Sequence, residues 1–210
     1  MNNALRYLFF AGPVRFLVLL VLGLNVRSRE KLPVKGPAIV VANHNSHLDT
    51  LTLLSLMPLS SLPKVRPVAA LDYFMSSKWL AWFATRIIGI LPIERGGGGN
   101  PLTRSKAALE QGSVLVLYPE GTRGEPEKLA EFKRGVALLV KDNPGVPVVP
   151  VLMHGLGKAL PKGTWLLVPF ICDIFVGDPI PWKGDTKTFM ADLRGAIEAL
   201  AAEAHFPAWD

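Results

Sequence analysis

Short, unbroken apolar runs alternate along the chain with longer stretches of helical pattern, and this alternation most constrains the fold. The clearest runs are AIVVA at 38–42, SVLVLY at 113–118 and VPVVPVLM at 146–153. Runs that are apolar on both faces are typical of strands in parallel sheets, because helices cover both sides of such sheets. The pattern therefore predicts an α/β fold, with a mostly parallel or mixed central sheet flanked by helices.

Weaker signals extend this pattern over most of the chain. Shorter apolar runs predict strands at 67–71 and 90–93, and one or two strands within 165–176. Helical spacing and cap residues predict five helices: 46–56, 76–88, one with Asn100 as N-cap and Pro101 as first residue that ends at Gly112, 132–141 and 186–204. Two prolines within 146–153 predict an edge strand or a bulge there.

The 210 residues suffice for one domain with a full core, and no internal repeat or linker divides them. We therefore assign residues 31–210 to a single α/β domain and residues 1–30 to an N-terminal membrane-associating helical segment. Within the domain, Trp79, Trp82 and Phe83 have the spacing of an ordinary core stripe. A face that dips into a membrane is the alternative for these aromatic side chains.

The N-terminal segment is apolar from residue 7 to residue 24 except for Pro13 and Arg15. Only residues 16–24 are unbroken, and as a helix they extend about 14 Å, roughly half of a hydrocarbon core. We therefore expect a monotopic or peripheral anchor rather than a full span. A signal peptide is one alternative, although no small-x-small cleavage site follows. An amphipathic helix that packs on its own domain is the other.

The charge balance bears on the partners. The net charge is +6, from 23 Lys and Arg against 17 Asp and Glu, and Arg27, Arg29 and Lys31 follow the apolar segment. The positive mean hydropathy of +0.30 favours an anionic bilayer, and the scattered basic residues disfavour nucleic acid. The single cysteine, Cys172, lies in an apolar run and is expected to be a buried hydrophobe in a protein of a reducing compartment.

Three of the predicted strands are each followed by a polar cluster. The clusters are NHNSHLD at 43–49, Glu94 with Arg95, and PEGTR at 119–123. Ligands of open α/β sheets bind beyond the carboxyl ends of the strands, so these clusters mark the predicted site. They supply a candidate base, a carboxylate to orient it and two guanidinium groups.

His44 and Asp49 are the candidate base and its partner. On a regular helix, residues five apart point about 140° away from each other, so the two can meet only if the chain turns between them. Ser46 is a good N-cap and would start a helix with Asp49 in its first turn. Asp49 can then bind one ring nitrogen of His44 and leave the other to accept a proton.

Two other interpretations of this cluster remain open. Ser46 and Asp49 are also spaced as a near capping box, in which case Asp49 closes the helix end and His44 is an ordinary loop residue. His44, His47 and Asp49 are three potential metal ligands. A metal is disfavoured because no cysteine is nearby and the glutamate of the helical zinc motif is missing.

The third cluster, PEGTR at 119–123, has the composition of a phosphate-binding loop. Gly121 allows a tight turn that exposes amide N–H groups, and Thr122 and Arg123 add donors. Arg123 and Arg95 can each present a planar fork to phosphate oxygens, whereas surface salt bridges are the alternative for either. The glycine run at 96–99 matches no nucleotide-binding pattern, and we interpret it as a flexible connector.

In combination, four segments resemble the conserved blocks of the glycerolipid acyltransferase family, in the family's order. They are NHxxxxD at 43–49, GILPIER at 89–95, YPEGTR at 118–123 and VPVVPV at 146–151. The resemblance runs from about residue 27 to residue 176. It implies an O-acyltransferase that moves a fatty acyl group from an acyl thioester to a lysophospholipid, with 1-acylglycerol-3-phosphate giving phosphatidic acid.

The resemblance also implies a role for each matching residue. His44 would be the general base and Asp49 its orienting partner. Arg95, Gly121, Thr122, Arg123 and Lys133 would bind the acceptor phosphate. Glu120 would shape the loop that holds this phosphate, and Pro150 would shape the cleft near the acyl donor. No metal or cofactor is implied, and acyl-CoA or acyl carrier protein would be the co-substrate.

Some positions depart from the family's pattern. Leu91, Pro92 and Glu94 differ from its usual second block, and Gly124 stands where serine is common. An acceptor without phosphate, such as a lyso-aminolipid, is therefore one alternative. A hydrolase is another, disfavoured because no G-x-S-x-G nucleophile elbow is present. A non-catalytic lipid-binding module would leave the base–carboxylate pair unexplained. The expected location is the cytoplasmic face of the inner membrane.

Overall fold

The computed structural model describes residues 3–71, 77–94, 100–161, 163–164 and 166–203. These residues form a seven-stranded sheet whose strands are numbered in chain order: β1 Gly23–Arg27, β2 Ala38–Ala42, β3 Val65–Ala70, β4 Leu91–Ile93, β5 Val114–Leu117, β6 Val148–His154 and β7 Ile171–Val176. The spatial order is β1-β7-β6-β2-β5-β3-β4. The five strands from β6 to β4 are parallel, and β7 runs antiparallel to β6. This confirms the predicted α/β fold with a mostly parallel sheet.

The helices cover both faces of this sheet. They are α1 Asn3–Val21, α2 Leu48–Leu56, α3 Lys78–Phe83, α4 Thr103–Glu110, α5 Gly135–Lys141, α6 Leu156–Ala159 and α7 Thr186–Ala202. Strand β2 is buried along its whole length, as its unbroken apolar sequence predicts. Its even-numbered residues face the core shared with α1 and α2, and its odd-numbered residues face the core shared with α4, α5 and α7.

Helix α1 packs on the domain along one straight stripe. The buried residues of the stripe are four positions apart: Arg6, Phe10, Val14, Val18 and Leu22. An α-helix has 3.6 residues per turn, so such a stripe would drift around it. Two π turns, Phe10–Val14 and Leu17–Val21, add residues per turn and keep the stripe on one side.

The guanidinium group of Arg6 fastens this helix to the sheet. It donates hydrogen bonds to the carbonyl oxygens of Val65 (3.0 Å) and Ile88 (2.8 Å). By length and composition alone, the 19-residue helix could cross a membrane. Its buried stripe shows that it packs as an amphipathic helix on its own domain, with apolar residues such as Leu19 and Leu20 exposed on the other side.

The N-terminal helix ends earlier than the sequence indicated. Residues 1–30 were expected to be helical, but Gly23–Arg27 pair in parallel with β7 at the edge of the sheet. The central placement of β6 also differs from the predicted edge or bulge. The ladder between β6 and β7 starts at Val151, one residue after Pro150. The missing N–H of Pro150 therefore lies just outside that ladder.

The aromatic residues of α3 do not form the predicted core stripe. No residue of Lys78–Phe83 is buried, and the side chains of Trp79 and Trp82 are 80% and 43% exposed. Phe83 contacts the ring of Phe9 in α1, with 5.2 Å between ring centroids. The exposed faces of α1 and α3 are therefore neighbours, and both are apolar.

Other sequence expectations are met with shifted boundaries. Asn100 accepts a hydrogen bond from the N–H of Leu102, as an N-cap does, although α4 begins only at Thr103. Within 165–176 the described residues form the single strand β7. Cys172 is fully buried, and burial raises the pKa of its thiol to about 12, as expected of a structural cysteine.

Candidate active site

The loop after β2 brings His44 and Asp49 together. Nδ1 of His44 lies 2.9 Å from Oδ2 of Asp49, which sits in the first turn of α2. The same oxygen accepts hydrogen bonds from the N–H groups of Asn45 (2.7 Å) and Ser46 (2.8 Å). The loop is therefore wrapped around one carboxylate oxygen, and the predicted base–carboxylate pair is present.

The helix-capping interpretation is also realised, because the two roles are compatible. Ser46 Oγ accepts from the N–H of Leu48 at 3.2 Å, and Asp49 binds backbone N–H groups ahead of its own helix. A carboxylate can only accept hydrogen bonds, so it selects the tautomer in which Nδ1 of His44 carries the proton. Nε2 is then the nitrogen that can take a proton from a substrate. The Asp49 side chain is 1% exposed and that of His44 is 20% exposed, so only the imidazole reaches solvent.

The loop after β5 holds both backbone groups of His44. The N–H of His44 donates to Oε1 of Glu120 at 2.9 Å, and its carbonyl accepts from the N–H of Gly124, also at 2.9 Å. Strands β2 and β5 are neighbours in the sheet, which is why their exits meet. The second oxygen of Glu120 accepts from the N–H of Ala130 at 3.3 Å.

The carboxyl group of Glu120 is buried, and desolvation raises its pKa above the ordinary value. The N–H groups of His44 and Ala130 oppose that shift because they stabilise the ionised form. Glu120 thus shapes the loop, as its predicted role requires, by joining the loop to the backbone of the candidate base.

The glycine of this loop lies directly beneath a lysine. Gly121 has a left-handed φ of +73°, and a Cβ at this position would lie 2.9 Å from Nζ of Lys133. The N–H of Lys133 donates to the carbonyl of Pro119 at 2.8 Å, which fixes the lysine backbone beside the loop. A larger residue than glycine would push the ammonium group away. The structure therefore brings together Gly121 and Lys133, two of the predicted phosphate-binding residues.

Arg123 adds positive charge to the same loop after β5. Burial lowers the pKa of His47, and the positive charge of Arg123 lowers it further. Arg123 therefore lies within electrostatic reach of His47, which directly precedes α2. Thr122 is exposed between Gly121 and Arg123, at the surface of the loop.

Arg95, another predicted phosphate-binding residue, directly follows Glu94. Arg95 lies outside the described residues, and its neighbour Glu94 forms an exposed ion pair with Arg104 at 3.1 Å. Strand β4, which precedes Arg95, lies three strand positions from β2, about 14 Å away. Because β4 is parallel to β2, its exit still faces the same edge of the sheet. The phosphate-binding role of Arg95 stays a prediction.

Pro150 lies within β6, paired with Val41, the penultimate residue of β2. Its ring is 2.8 Å from the position that a Cβ on Gly177 would occupy, beside Leu200 of α7. That contact is on the face of the sheet opposite α2. The predicted role of Pro150 at the acyl donor is therefore not supported by a contact with the His44 loop, and it stays a prediction.

Two features of the site went unrecognised in the sequence. The ring of Tyr118 stacks on the imidazole of His44, with 4.1 Å between centroids and 18° between planes. A second histidine–carboxylate pair joins His154 and Glu127 at 2.5 Å. The signal for Tyr118 was its place at the exit of β5, whereas Glu127 and His154 are 27 residues apart and share no local motif.

The second pair contacts the first through one amide side chain. The amide of Asn45 donates to the carbonyl of His44 at 3.0 Å and accepts from the N–H of Glu127 at 3.1 Å. Oε1 of Glu127 accepts from the N–H of Gly155 at 2.9 Å. In the described parts of the chain, no three His, Cys, Asp or Glu side chains are grouped so that they could hold a metal ion.

Comparison with known proteins places this geometry in context. The acyltransferase family model matches residues 23–154. A chloroplastic 1-acyl-sn-glycerol-3-phosphate acyltransferase of Arabidopsis thaliana is 32% identical over 67% of this chain and 38% of its own length. The enzyme of that name from Pseudomonas aeruginosa is 27% identical over 85% of this chain and 67% of its own length. The chain thus spans about two fifths of the plant relative.

A solved structure shares the fold. The crystal structure of the 1-acyl-sn-glycerophosphate (LPA) acyltransferase PlsC from Thermotoga maritima superposes with a TM-score of 0.75 at 20% identity. The similarity covers 98% of this chain and 81% of the other. It therefore extends to α1 and α7, which lie outside the region that the family model matches.

Proposed function

This chain belongs to the acyltransferase family, and from that premise we propose that it transfers a fatty acyl group from an acyl thioester to the free hydroxyl of a lysophospholipid. The proposed acceptor is 1-acylglycerol-3-phosphate, and the product is phosphatidic acid. One observation carries the proposal: the His44–Asp49 pair is hydrogen-bonded through the His44 backbone to a loop that presents Gly121, Thr122 and Arg123.

The proposed mechanism is direct transfer, without a covalent enzyme intermediate. Nε2 of His44 takes the proton of the acceptor hydroxyl as its oxygen attacks the thioester carbonyl. Asp49 holds the ring and stabilises the imidazolium that forms. The tetrahedral intermediate then collapses, the carbon–sulfur bond breaks, and the imidazolium returns its proton to the leaving thiolate. Holding both substrates at one site supplies much of the rate enhancement, since it removes the cost of bringing them together.

The cationic side chains near His44 are the reason for proposing a phosphate-bearing acceptor. Lys133 and Arg123 supply cationic groups, and the left-handed turn at Gly121 lets the ammonium group of Lys133 approach the backbone of the loop closely. We propose that these groups bind the acceptor phosphate, joined by Arg95 from the exit of β4. A phosphate held there would place the neighbouring glycerol hydroxyl next to the loop that carries His44.

The proposed substrates are amphiphiles, so the site must meet a membrane surface. We propose that the exposed apolar faces of α1 and α3 lie in that surface, with Phe16, Leu19, Leu20 and Trp79 among the embedded side chains. Because Arg6 and its stripe keep α1 on the domain, the proposed association is monotopic, at the cytoplasmic face of the membrane.

The test is an assay of the purified protein in mixed micelles with a chelator present. Palmitoyl-CoA and palmitoyl-acyl carrier protein are each offered with 1-acylglycerol-3-phosphate, a lysophosphatidylcholine and a lyso-aminolipid. The proposal predicts phosphatidic acid as the main product with at least one donor. Free fatty acid without acylated lipid would indicate a hydrolase instead. Acylation of the lyso-aminolipid alone would contradict the proposed phosphate-bearing acceptor. If the protein binds lipid vesicles but transfers no acyl group with any donor, the proposed enzymatic activity is wrong.

A further inference from the structure

The imidazole of His44 is held by more than its carboxylate partner. The hydrogen bond to Asp49 fixes the position of Nδ1 at one edge of the ring. Hydrogen bonds to carboxylate oxygens tolerate a broad range of out-of-plane angles, so this contact alone leaves the ring plane able to tilt. A tilt would move Nε2, the nitrogen that must face the acceptor hydroxyl.

The ring of Tyr118 removes that freedom. It lies nearly parallel to the imidazole, 4.1 Å away between centroids and 18° between planes. A stacked ring at this distance is in van der Waals contact over the whole imidazole face, and tilting in either direction would separate or compress the two rings. One face of the base is therefore covered, and the acceptor must reach Nε2 from the open side.

Tyr118 is itself fixed by the helix that carries Asp49. Its hydroxyl lies 2.9 Å from Oγ1 of Thr50, the residue that follows Asp49 in α2. Burial, and to a smaller extent the charge of Asp49, raises the pKa of Tyr118 far above its usual range, so the side chain remains a neutral phenol. Asp49, which binds the edge of the imidazole, and Thr50, which holds the ring stacked on its face, are thus adjacent residues of one helix.

From this arrangement we infer that Tyr118 is a positioning residue for the base. Its ring sets the plane of the His44 imidazole, and Thr50 fixes the position of that ring. The inference rests on the proposed function for its kinetic consequence, but the geometric part stands on the stack alone. It assigns a role in orientation to a residue that neither donates a proton to a substrate nor binds one.

Three variants separate the ring from its hydroxyl. Tyr118→Phe keeps the stack and loses the bond to Thr50, Thr50→Val loses the same bond from the other side, and Tyr118→Leu removes the stack. We expect kcat to fall about 2- to 10-fold in the first two, as for the loss of one hydrogen bond. In Tyr118→Leu we expect a fall of about 10- to 100-fold, with KM nearly unchanged, because the base is misplaced rather than the substrate unbound.

Combining Thr50→Val with Tyr118→Phe should cost no more than either change alone, because both remove one bond. Phe189→Leu is the control for stability, since Phe189 is fully buried in the core on the other face of the sheet. It should lower the melting temperature and leave kcat at an assay temperature well below melting. Equal kcat losses in Phe189→Leu and Tyr118→Leu would overturn the positioning role.

A spectroscopic readout is independent of turnover. A ring stacked on the imidazole shifts the carbon-bound proton resonances of His44 upfield through its ring current. We expect this shift in the parent protein and in Tyr118→Phe, and its loss in Tyr118→Leu. If the parent shows no such shift, the stack is absent in solution and the inference fails whatever the activity. If the parent transfers acyl groups and Tyr118→Leu keeps its full kcat, the inference fails while the proposed function stands.

Discussion

Two neighbouring strand ends each carry a histidine paired with a carboxylate, and their surroundings differ. His44 follows β2 and binds Asp49 at 2.9 Å, whereas His154 ends the adjacent strand β6 and binds Glu127 at 2.5 Å. The Asp49 side chain is almost completely buried, and its bonded oxygen accepts two backbone N–H groups as well as the ring. The Glu127 side chain is 14% exposed and comes from a loop.

The second pair serves to hold chain segments together. Glu127 has a left-handed φ of +62°, a costly backbone conformation for a residue with a side chain. Its carboxylate binds the N–H of Gly155, and its own N–H binds the amide of Asn45, so the loop is fastened to the exits of two strands. Glu127 belongs to the same loop as Arg123, but the first pair lies beside the part of that loop that presents Gly121 and Arg123, since the N–H of Gly124 binds the carbonyl of His44. A histidine paired with a carboxylate is therefore a candidate base only where substrate-binding groups lie beside it.

Replacing each histidine by alanine tests this comparison with the largest expected effect. His44→Ala should lower kcat by about 10²- to 10⁴-fold, because it removes a positioned base. His154→Ala should cost less than about 10-fold, since it loosens a loop and leaves the base in place. Steady-state assays of both variants measure the two losses. Comparable losses would show that the second pair takes part in the chemistry.

Amide replacements of the two acids should follow the same order. Asp49→Asn can donate to Nδ1 and so favours the wrong tautomer of His44, for which we expect a loss in kcat of about 10²-fold or more. Glu127→Gln keeps an oxygen for the N–H of Gly155, and the expected loss is only a few-fold. The ratio of the two kcat losses is the informative quantity. A ratio near one would contradict the distinction between the pairs.

A lysine replacement sharpens the difference in surroundings. Lys133→Ala should raise the KM for a phosphate-bearing acceptor about 5- to 10-fold, equal to ~1 kcal/mol, because an exposed ammonium group contributes a modest charge-assisted bond. Lys141→Ala is the matched control, an exposed lysine at the end of α5, and should leave KM unchanged. An equal rise in both would mean that general surface charge, and not the loop at Gly121, attracts the acceptor.

The smallest effect concerns stability and pH. Burial raises the pKa of Glu120 above its ordinary value of 4.5, so the folded chain holds this proton more tightly than the unfolded chain. Stability from this group is therefore complete below pH 4.5 and is lost as the pH rises through the raised pKa. Glu120→Gln removes that loss. Denaturant unfolding at pH 4 and pH 7 should show the variant gaining relative to the parent at the higher pH, and a difference that is independent of pH would contradict the assignment.

The central strands of the fold could be predicted because the hydrophobicity of each short segment indicates its structure. The run AIVVA is apolar on both faces and rich in β-branched residues, which favours a strand covered on both sides. The meeting of His44 with Asp49 was predicted from a helix expected to start at Ser46, and α2 begins two residues later, at Leu48. Strand β1 could not be found in this way, since GLNVR directly follows an apolar helix and forms a strand only by pairing with β7, almost 150 residues later.

Long-range contacts account for the other errors and omissions. The aromatic spacing in α3 matches a core stripe, but which face of a helix is buried depends on its neighbours, and here Trp79 faces outward. Glu127 and His154 meet only because the loop before α5 reaches the exit of β6. The stack of Tyr118 on His44 likewise depends on β5 lying beside β2. Sequence spacing carries none of these distances.

Chemical rescue with free imidazole tests whether the side chain of His44 acts as the base. His44→Ala is assayed with palmitoyl thioester and 1-acylglycerol-3-phosphate while free imidazole is added at constant pH, with His154→Ala treated in the same way. If His44 is the base, imidazole should restore part of the lost turnover in His44→Ala, in proportion to its concentration, and should have no effect on His154→Ala. Turnover of His44→Ala close to that of the parent without imidazole, or equal rescue of both variants, would show that His44 is not the base.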